Sequence, residues 1–469
     1  MDLTESLARR AAAHACAYLA AIRDRPVRAT LTGDDLRARL GGPLPAGGED
    51  PIHVLDTIAD AGLTGTVASQ GPRYFGFVTG GSVPSAMATD WLVSAWDQNA
   101  QMFVMSPIAA VVEQIVAGWL TEIFGLPPTW SVGFVTGAQM ANFTALLTAR
   151  HHLLRQAGWD VERQGLFGAP PIEVLVGDES HRTIFTALRM LGLGAERVQR
   201  VATDPHGRIR PGDLEAVLRR GQGPCIVCAQ IGNVNTGAAD PILAIAALTR
   251  ERGAWLHVDG AFGLWAAASP SLRPMTAGID QADSLATDGH KWLNVPYDSG
   301  LVLTAHPASH QASLLMPAHY IQMTPGEREP RAFTPDESRR ARALPIYAAL
   351  RVLGRDGVAE IVDRCCAMAG RMARRLGSDP SVRILNDVVL NQVLVQFRPP
   401  DGDEAAAAAL TQQVVSRVQQ EGTCWAGGTQ WHGQVAMRIS VSNWSTTADD
   451  IDRSAAAILA AVSESLRTA

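Results

Sequence analysis

The feature that most constrains this chain is a repeating pattern that begins near Ser131. Short apolar runs recur, each followed by a segment with helical spacing. GFVTG precedes MANFTALLTARHHLL, IEVLVGD precedes HRTIFTALRMLG, and CIVCAQIG precedes PILAIAALTRERG. AWLHVDG, SLATDGHKW and SGLVLTA continue the series. The runs are continuous rather than alternating, as strands buried on both faces require. Alternation of strand and helix implies an α/β fold with a mostly parallel sheet and right-handed crossovers.

The flanks read differently. Residues 1–70 hold helical patterns broken by GGPLPAGGEDP, too interrupted to carry a core. The expected division is a helical arm over 1–80, a large domain over 81–350 and a small α+β domain over 351–469. The last part combines a helix in DEAAAAALTQQVVSRVQQEG, a strand near VAMRISVS and a helix capped near Thr446, Asp449 and Asp450. Between Pro317 and Glu337 the chain is polar, charged and Pro-rich, which predicts a long mobile loop of the kind that often closes over an active site.

Composition removes several classes of function. A chain of 469 residues with 47% hydrophobic and 18% charged residues is not disordered. Six cysteines at this length do not make a disulfide scaffold. Forty basic against 46 acidic residues argue against a nucleic-acid partner. Asp2, Glu5, Arg9 and Arg10 make the N-terminus an amphipathic helix rather than a secretory leader. Apolar runs stay below the ~18 residues of a membrane span, so no membrane association is expected and a reducing cytoplasm fits. Cys225 and Cys228 form a single CxxC within an apolar run, better read as packed strand residues than as redox or zinc chemistry. His151 and His152 are adjacent rather than at ligand spacing, so no metal site is expected.

Four features fall at the C-terminal ends of expected strands, where open α/β sheets bind ligands. Thr136–Asn142 opens a helix with small residues, leaving backbone amides free for a phosphate. Asp259 ends a buried strand, where an acid needs a partner. Lys291 lies among Gly289, Trp292 and Leu293, and desolvation there would make it a usable amine nucleophile. His181 follows another strand end. Each alone has a plainer reading: a strand–helix turn, a helix cap, a surface lysine, a packed histidine. Together they supply what pyridoxal phosphate needs: a phosphate cradle, an acid at the ring nitrogen, a Schiff-base lysine and a flat ring to stack.

VLVGDESHRTIF, WLHVDGAFG and DSLATDGHKWLNVPYDSG resemble the group II pyridoxal-phosphate amino-acid decarboxylases, the family of aromatic-L-amino-acid and glutamate decarboxylases. The likeness runs from RYFGFVTGGSVPSAMATDWL through GAQMANFTALLTAR to MRISVSNWSTT. It implies the fold-type I, aspartate-aminotransferase-like architecture. It also implies a homodimer with shared active sites, the arm wrapping the partner. On this resemblance Lys291 matches the Schiff-base lysine, Asp259 the acid at the pyridine nitrogen and His181 the stacking histidine. Ala138 and Gln139 match phosphate-binding amides, and His290 a histidine that helps hold the phosphate. Asn233 and Asn235 occupy a turn near the cofactor, and Gly354 matches a glycine reaching the partner's phosphate. Asp288 stands where many relatives carry Asn or Ser. An anion there would oppose the phosphate unless it points away or is paired.

Two departures bear on the reaction. Relatives protonate Cα with a loop tyrosine, whereas the matching place here reads Pro330, Arg331, Ala332 and Phe333. Either Tyr320, nearer the loop start, or His319 takes over, or the proton comes from elsewhere. Without a donor, a long-lived carbanion could react with oxygen and give an aldehyde, so decarboxylation-dependent oxidative deamination stands beside simple decarboxylation. A carbon–carbon lyase or an aminotransferase on the same fold is a further alternative. The segment donated to the partner's pocket reads WDQNAQMF, with Asp97, Gln98, Asn99 and Gln101, where relatives acting on aromatic substrates are apolar. Phe77, Val78 and Thr79 match a substrate-facing turn. The amides favour a polar substrate side chain, unless they serve only the dimer interface. Arg438 stands where many fold-type I enzymes bind a carboxylate.

Overall fold

The computed structural model describes residues 2–316 and 324–468. The chain forms two compact units. The larger holds residues 80–370 and 386–393, and the smaller holds residues 1–79, 371–385 and 394–469.

The larger unit is built on seven strands: β1 (Ser131–Val135), β2 (Glu173–Gly177), β3 (Gln199–Val201), β4 (Cys225–Gln230), β5 (Trp255–Asp259), β6 (Ser284–Asp288) and β7 (Gly300–Thr304). Their order is β1-β7-β6-β5-β4-β2-β3. β3, β2, β4, β5 and β6 pair in parallel, and β7 runs antiparallel to both β6 and β1. Every residue of β1, β4, β5, β6 and β7 is buried, which explains their unbroken apolar character. β3 has no counterpart among the expected runs: it has three residues, two of them exposed. Cys225 and Cys228 are buried free thiols within β4, and burial pushes Cys225 up to about 12. Helix Ala138–Gln156 packs over β5, β6 and β7.

Helix Pro107–Phe124 is long and apolar enough, on length and composition, to cross a membrane. Half of it is buried in the fold, and its Glu113 pairs with Arg339 at 2.7 Å and Arg328 at 3.1 Å. These arginines correct part of the loop expectation. Residues 317–323 lie outside the described part and Pro325–Glu327 are exposed, but from Glu329 the segment is packed rather than free. Glu329, Pro330, Arg331 and Ala332 are buried, because Arg328 and Arg339 tie the segment to Glu113.

In the smaller unit, helices Leu3–Ala21, Gly33–Leu40 and Pro51–Gly65 form the N-terminal part. Thr32 and Asp35 make a reciprocal capping box, and Asp50 caps the helix begun by Pro51. Helix Leu3–Ala21 buries none of its residues. An antiparallel sheet runs β10 (Gly427–Trp431), β11 (Gln434–Ser440), β9 (Gln392–Phe397) and β8 (Val382–Ile384). Helix Glu404–Glu421 is capped by Asp403. The cap of Ala448–Thr468 falls on Thr447, one residue beyond Thr446, in a reciprocal pair with Asp450.

Candidate active site

The ends of β4 and β5, with the turns after β2, β4, β5 and β6, line one half-open cavity. It is lined by His181, Gln230, Gly232, Val234, Asp259, Ala261, Phe262 and Lys291. Three of the four sequence features therefore meet in one cavity: the acid, the lysine and the histidine.

Asp259 is the last residue of β5 and is 6% exposed. Its Oδ2 accepts 2.9 Å from Asn142 Nδ2, and its Oδ1 accepts 3.0 Å from the Ala261 amide. Both donors are neutral, so these hydrogen bonds bring no positive charge to the acid, and a cationic ring nitrogen would supply it. Lys291 follows the end of β6, with Nζ 3.0 Å from Asp288 Oδ2. His181 caps helix Arg182–Met190 and shares a 2.9 Å contact with the Thr183 hydroxyl.

The fourth feature, the turn after β1, lies against the same residues. Asp288 is paired, which answers the charge problem posed by its position. Besides Lys291, its Oδ1 accepts 2.5 Å from the Ala138 amide. That amide is thus engaged within the chain rather than free. His290 packs on Tyr297 with ring centroids 4.2 Å apart, and its Nδ1 accepts from the Ser299 amide at 3.1 Å. With Nδ1 an acceptor, a neutral ring carries its proton on Nε2, 3.5 Å from Asp288 Oδ1. Burial lowers the pKa of His290, keeping it neutral. A Cβ on Gly137 would come within 3.2 Å of His290 Cε1, and one on Gly300 would lie 2.4 Å from Gly137 Cα. Both glycines keep this cradle open.

Other expected residues sit elsewhere. Asn233 builds its own loop, accepting from the Asn235 and Thr236 amides and donating to the Glu179 carbonyl. In that loop Gly232 and Val234 line the cavity. Gly354 interrupts helix Ala343–Leu376 at φ 61° and ψ −174°, a left-handed φ suited to glycine. Asn99 Oδ1 accepts from the Arg339 amide at 3.2 Å, and the Gln101 amide donates to Glu337. Phe77, Val78 and Thr79 belong to the smaller unit. There Phe77 and Val78 hold φ of 55° and 57°, and the Phe77 ring lies 5.3 Å from Trp425. A left-handed φ at Val78, a β-branched residue, stores strain. Arg438 lies on β11 in the same unit, its pKa lowered by burial. Tyr320 and His319 lie outside the described residues.

Sequence reasoning missed Asn142, His257, Gln230, Ala261 and Phe262. Asn142 and His257 were visible within GAQMAN and WLHVD, but only the fold brings them to Asp259.

The donor set fits pyridoxal phosphate: an uncompensated buried acid, an amine, a flanking imidazole and a cradle that a Cβ would fill. Comparison with known proteins agrees. Residues 37–398 match the family model described as the pyridoxal-dependent decarboxylase conserved domain. An aromatic-L-amino-acid decarboxylase from Bacillus atrophaeus is 27% identical, over 92% of this chain and 89% of its own. An L-2,4-diaminobutyrate decarboxylase from Rhizobium meliloti is 28% identical, over 81% and 75%. A crystal structure of Oryza sativa TDC with PLP and tryptamine shares the fold at a TM-score of 0.91, with 21% identity and 98% of each chain covered. The chain therefore belongs to the pyridoxal-dependent decarboxylase family, and it is an amino-acid decarboxylase that uses pyridoxal phosphate.

Proposed function

We propose that this enzyme decarboxylates an L-amino acid with a polar side chain, releasing the amine, in a site completed by a second copy of the chain. The observation that carries the substrate reading is the Asn99–Gln101 segment. Its amides are tied to Arg339 and Glu337, and Arg331, 6% exposed, pairs with Glu337 at 3.5 Å. A polar lining held in place in this way suits a polar substrate side chain and penalises an apolar one, which would strip its water without replacing it. The names of the relatives, aromatic in one and diaminobutyrate in the other, leave the side chain open.

When bound, pyridoxal phosphate supplies an electron sink for the pair left behind as carbon dioxide departs. The chain's residues divide the remaining work. Lys291 Nζ would hold the aldehyde carbon and yield it to the substrate amine. Asp259 would keep a proton on the ring nitrogen, with His181 and Ala261 flanking the ring. His290 Nε2 and the Gln139 amide would hold the phosphate, joined by the Ala138 amide where it turns from Asp288, and Gly354 of the partner subunit would close over it. Near the place of the usual proton donor stand Pro330, Arg331, Ala332 and Phe333, so Tyr320 or His319 would return the proton to Cα.

In this reading residues 1–80 form the arm over the partner, 81–350 carry the cofactor and 351–469 form the small domain. Support for a dimer comes from Trp91, Leu92 and Trp96 on helix Pro84–Trp96 and Ile108, Val111 and Ile115 on helix Pro107–Phe124, all exposed in one chain. All six cysteines are free thiols, which suits a reducing compartment such as the cytoplasm.

The test incubates the purified protein and pyridoxal phosphate with each common amino acid, reading carbon dioxide, amine, aldehyde and oxygen together. We expect a polar amino acid to be preferred and amine to equal carbon dioxide. Strong preference for phenylalanine would overturn the substrate reading. Oxygen uptake matching carbon dioxide release would replace the amine product with the aldehyde.

A further inference from the structure

Trp255, His257 and Asp259 alternate along β5 and so share one face of the strand. Ser284 of β6 is in register with His257, and Asn142 comes from the helix packed over these strands. The five side chains are joined end to end. Trp255 Nε1 donates to Ser284 Oγ at 2.9 Å, and Ser284 Oγ lies 3.0 Å from His257 Nδ1. His257 Nε2 lies 2.9 Å from Asn142 Oδ1, and Asn142 Nδ2 donates to Asp259 Oδ2 at 2.9 Å.

Chemistry at the two ends fixes the direction. An indole N–H can only donate and a carboxylate can only accept. Ser284 Oγ therefore receives from Trp255 and gives its own proton to His257 Nδ1. The proton of the neutral imidazole then sits on Nε2 and goes to Asn142. The opposite tautomer would turn the Asn142 amide round and put its oxygen 2.9 Å from the carboxylate, a repulsive contact. His257 is fully buried, and burial pushes its pKa down to about 4, which keeps it neutral. A branch runs from Asn142 Nδ2 to Thr183 Oγ1 at 3.4 Å and on to His181 Nδ1 at 2.9 Å.

We propose that Trp255, Ser284, His257 and Asn142 form a one-way hydrogen-bond chain of positioning residues that fixes the Asp259 carboxylate against the ring nitrogen of the cofactor. The inference rests on Asp259 facing that nitrogen. Because each member is a neutral dipole aimed at Asp259, the chain orients and stabilises the carboxylate without cancelling its charge. Asn142 sets the acid and the stacking histidine together, so the two sides of the ring share one anchor.

Asn142→Leu keeps the side-chain size and removes the last link. Cofactor affinity is measured by equilibrium dialysis, and the pH titration of the visible band of the bound cofactor reports proton retention at the ring nitrogen. We expect Asn142→Leu to weaken affinity by about ten- to a hundredfold, the loss of one hydrogen bond to a charged group. The titration should shift to lower pH. His257→Leu should do the same, whereas His257→Gln, which keeps a donor for Asn142, should recover most of it. Ser284→Ala, a small change that frees the His257 tautomer, should shift the titration in the same sense if Asn142→Leu does not fold. Native affinity and an unmoved titration in a folded Asn142→Leu or Ser284→Ala protein would overturn the proposal. Asp259→Ala separates the two levels: if it too leaves the titration unmoved, the reading of Asp259 fails, and if it alone moves the titration, only the chain fails.

Discussion

Asp259 and Glu113 are both buried acids of the larger unit, 6% and 0% exposed, and they are satisfied in opposite ways. Asp259 receives Asn142 and the Ala261 amide, both neutral donors. Glu113 faces two guanidinium groups, Arg339 at 2.7 Å and Arg328 at 3.1 Å. Removing a carboxylate from water is costly, and at Glu113 the fold offsets it with two guanidinium groups. At Asp259 the hydrogen bonds are made but the charge is left over, so a cationic partner from outside the chain gains by binding there. The first arrangement holds the chain together, joining helix Pro107–Phe124 to the segment that carries Arg328 and Arg339. The second prepares a site.

The largest effect should come at the residue that shares the cavity with Asp259. Lys291→Ala should lower kcat by about 10⁴- to 10⁶-fold, as losses of covalent catalysts do. Single-turnover carbon dioxide release checks it, and turnover at the native rate would remove Lys291 from the chemistry. Asp259→Asn should cost about 10²- to 10³-fold in kcat, the range for a preorganised electrostatic group. Its stability should fall by about 1–3 kcal/mol, because the new amide can accept from only one of the two neutral donors and leaves the other unmatched. Glu113→Gln should show the reverse. Breaking a buried ion pair while leaving its partner charged costs about 3–5 kcal/mol of stability, readable in urea unfolding, with kcat per folded molecule close to native. Equal stability losses in both variants would dissolve the distinction between the two acids.

Much of this contrast was legible in the sequence on one side only. Continuous apolar runs marked β1, β2, β4, β5, β6 and β7, because strands buried on both faces leave that signature. β3 left none, having two exposed residues out of three. Asp259, Lys291 and His181 could be named because each follows a strand end and local spacing brings them to one rim of the sheet. Asn142 and His257 sat in quoted motifs without assigned work. Their partner is 117 residues away from Asn142, and only the register of β5 with β6 and the helix above them closes the network. Glu113, Arg328 and Arg339 are separated in the same manner, 215 residues apart in one pair. Residues 324–337 read as a free loop because their composition is polar, and nothing local shows that Arg328, and Arg339 just beyond, have a buried acid waiting.

Each network also has a buried histidine beside it, His257 next to Asn142 and His310 facing Arg328, and pH is the finest probe of the difference. Burial lowers His257 to about 4, and it lowers His310, with Arg328 adding repulsion, to about 3. Both folded values lie below the ordinary 6.5, so the unfolded chain binds more protons than the folded one once pH drops beneath 6.5. Stability from these groups is complete above that value and is lost as pH falls toward 4 and 3, at up to about 1.4 kcal/mol per pH unit for each histidine. His310→Gln should flatten part of that acid slope in unfolding experiments between pH 6.5 and 4 while leaving the cofactor's visible band unchanged. His257→Gln should flatten a similar part. In the native protein, protonating His257 near pH 4 adds a proton on Nδ1, and Ser284 Oγ must then turn from giving a proton to accepting one, so the one-way order of the chain is lost at the low-pH end of that slope. Coincidence of the acid loss of the cofactor's band with the His257 share of the slope, and not with the His310 share, is the expected result. If His310→Gln shifts the band as much as His257→Gln does, the two regions are coupled and Asp259 is not held by its own network alone.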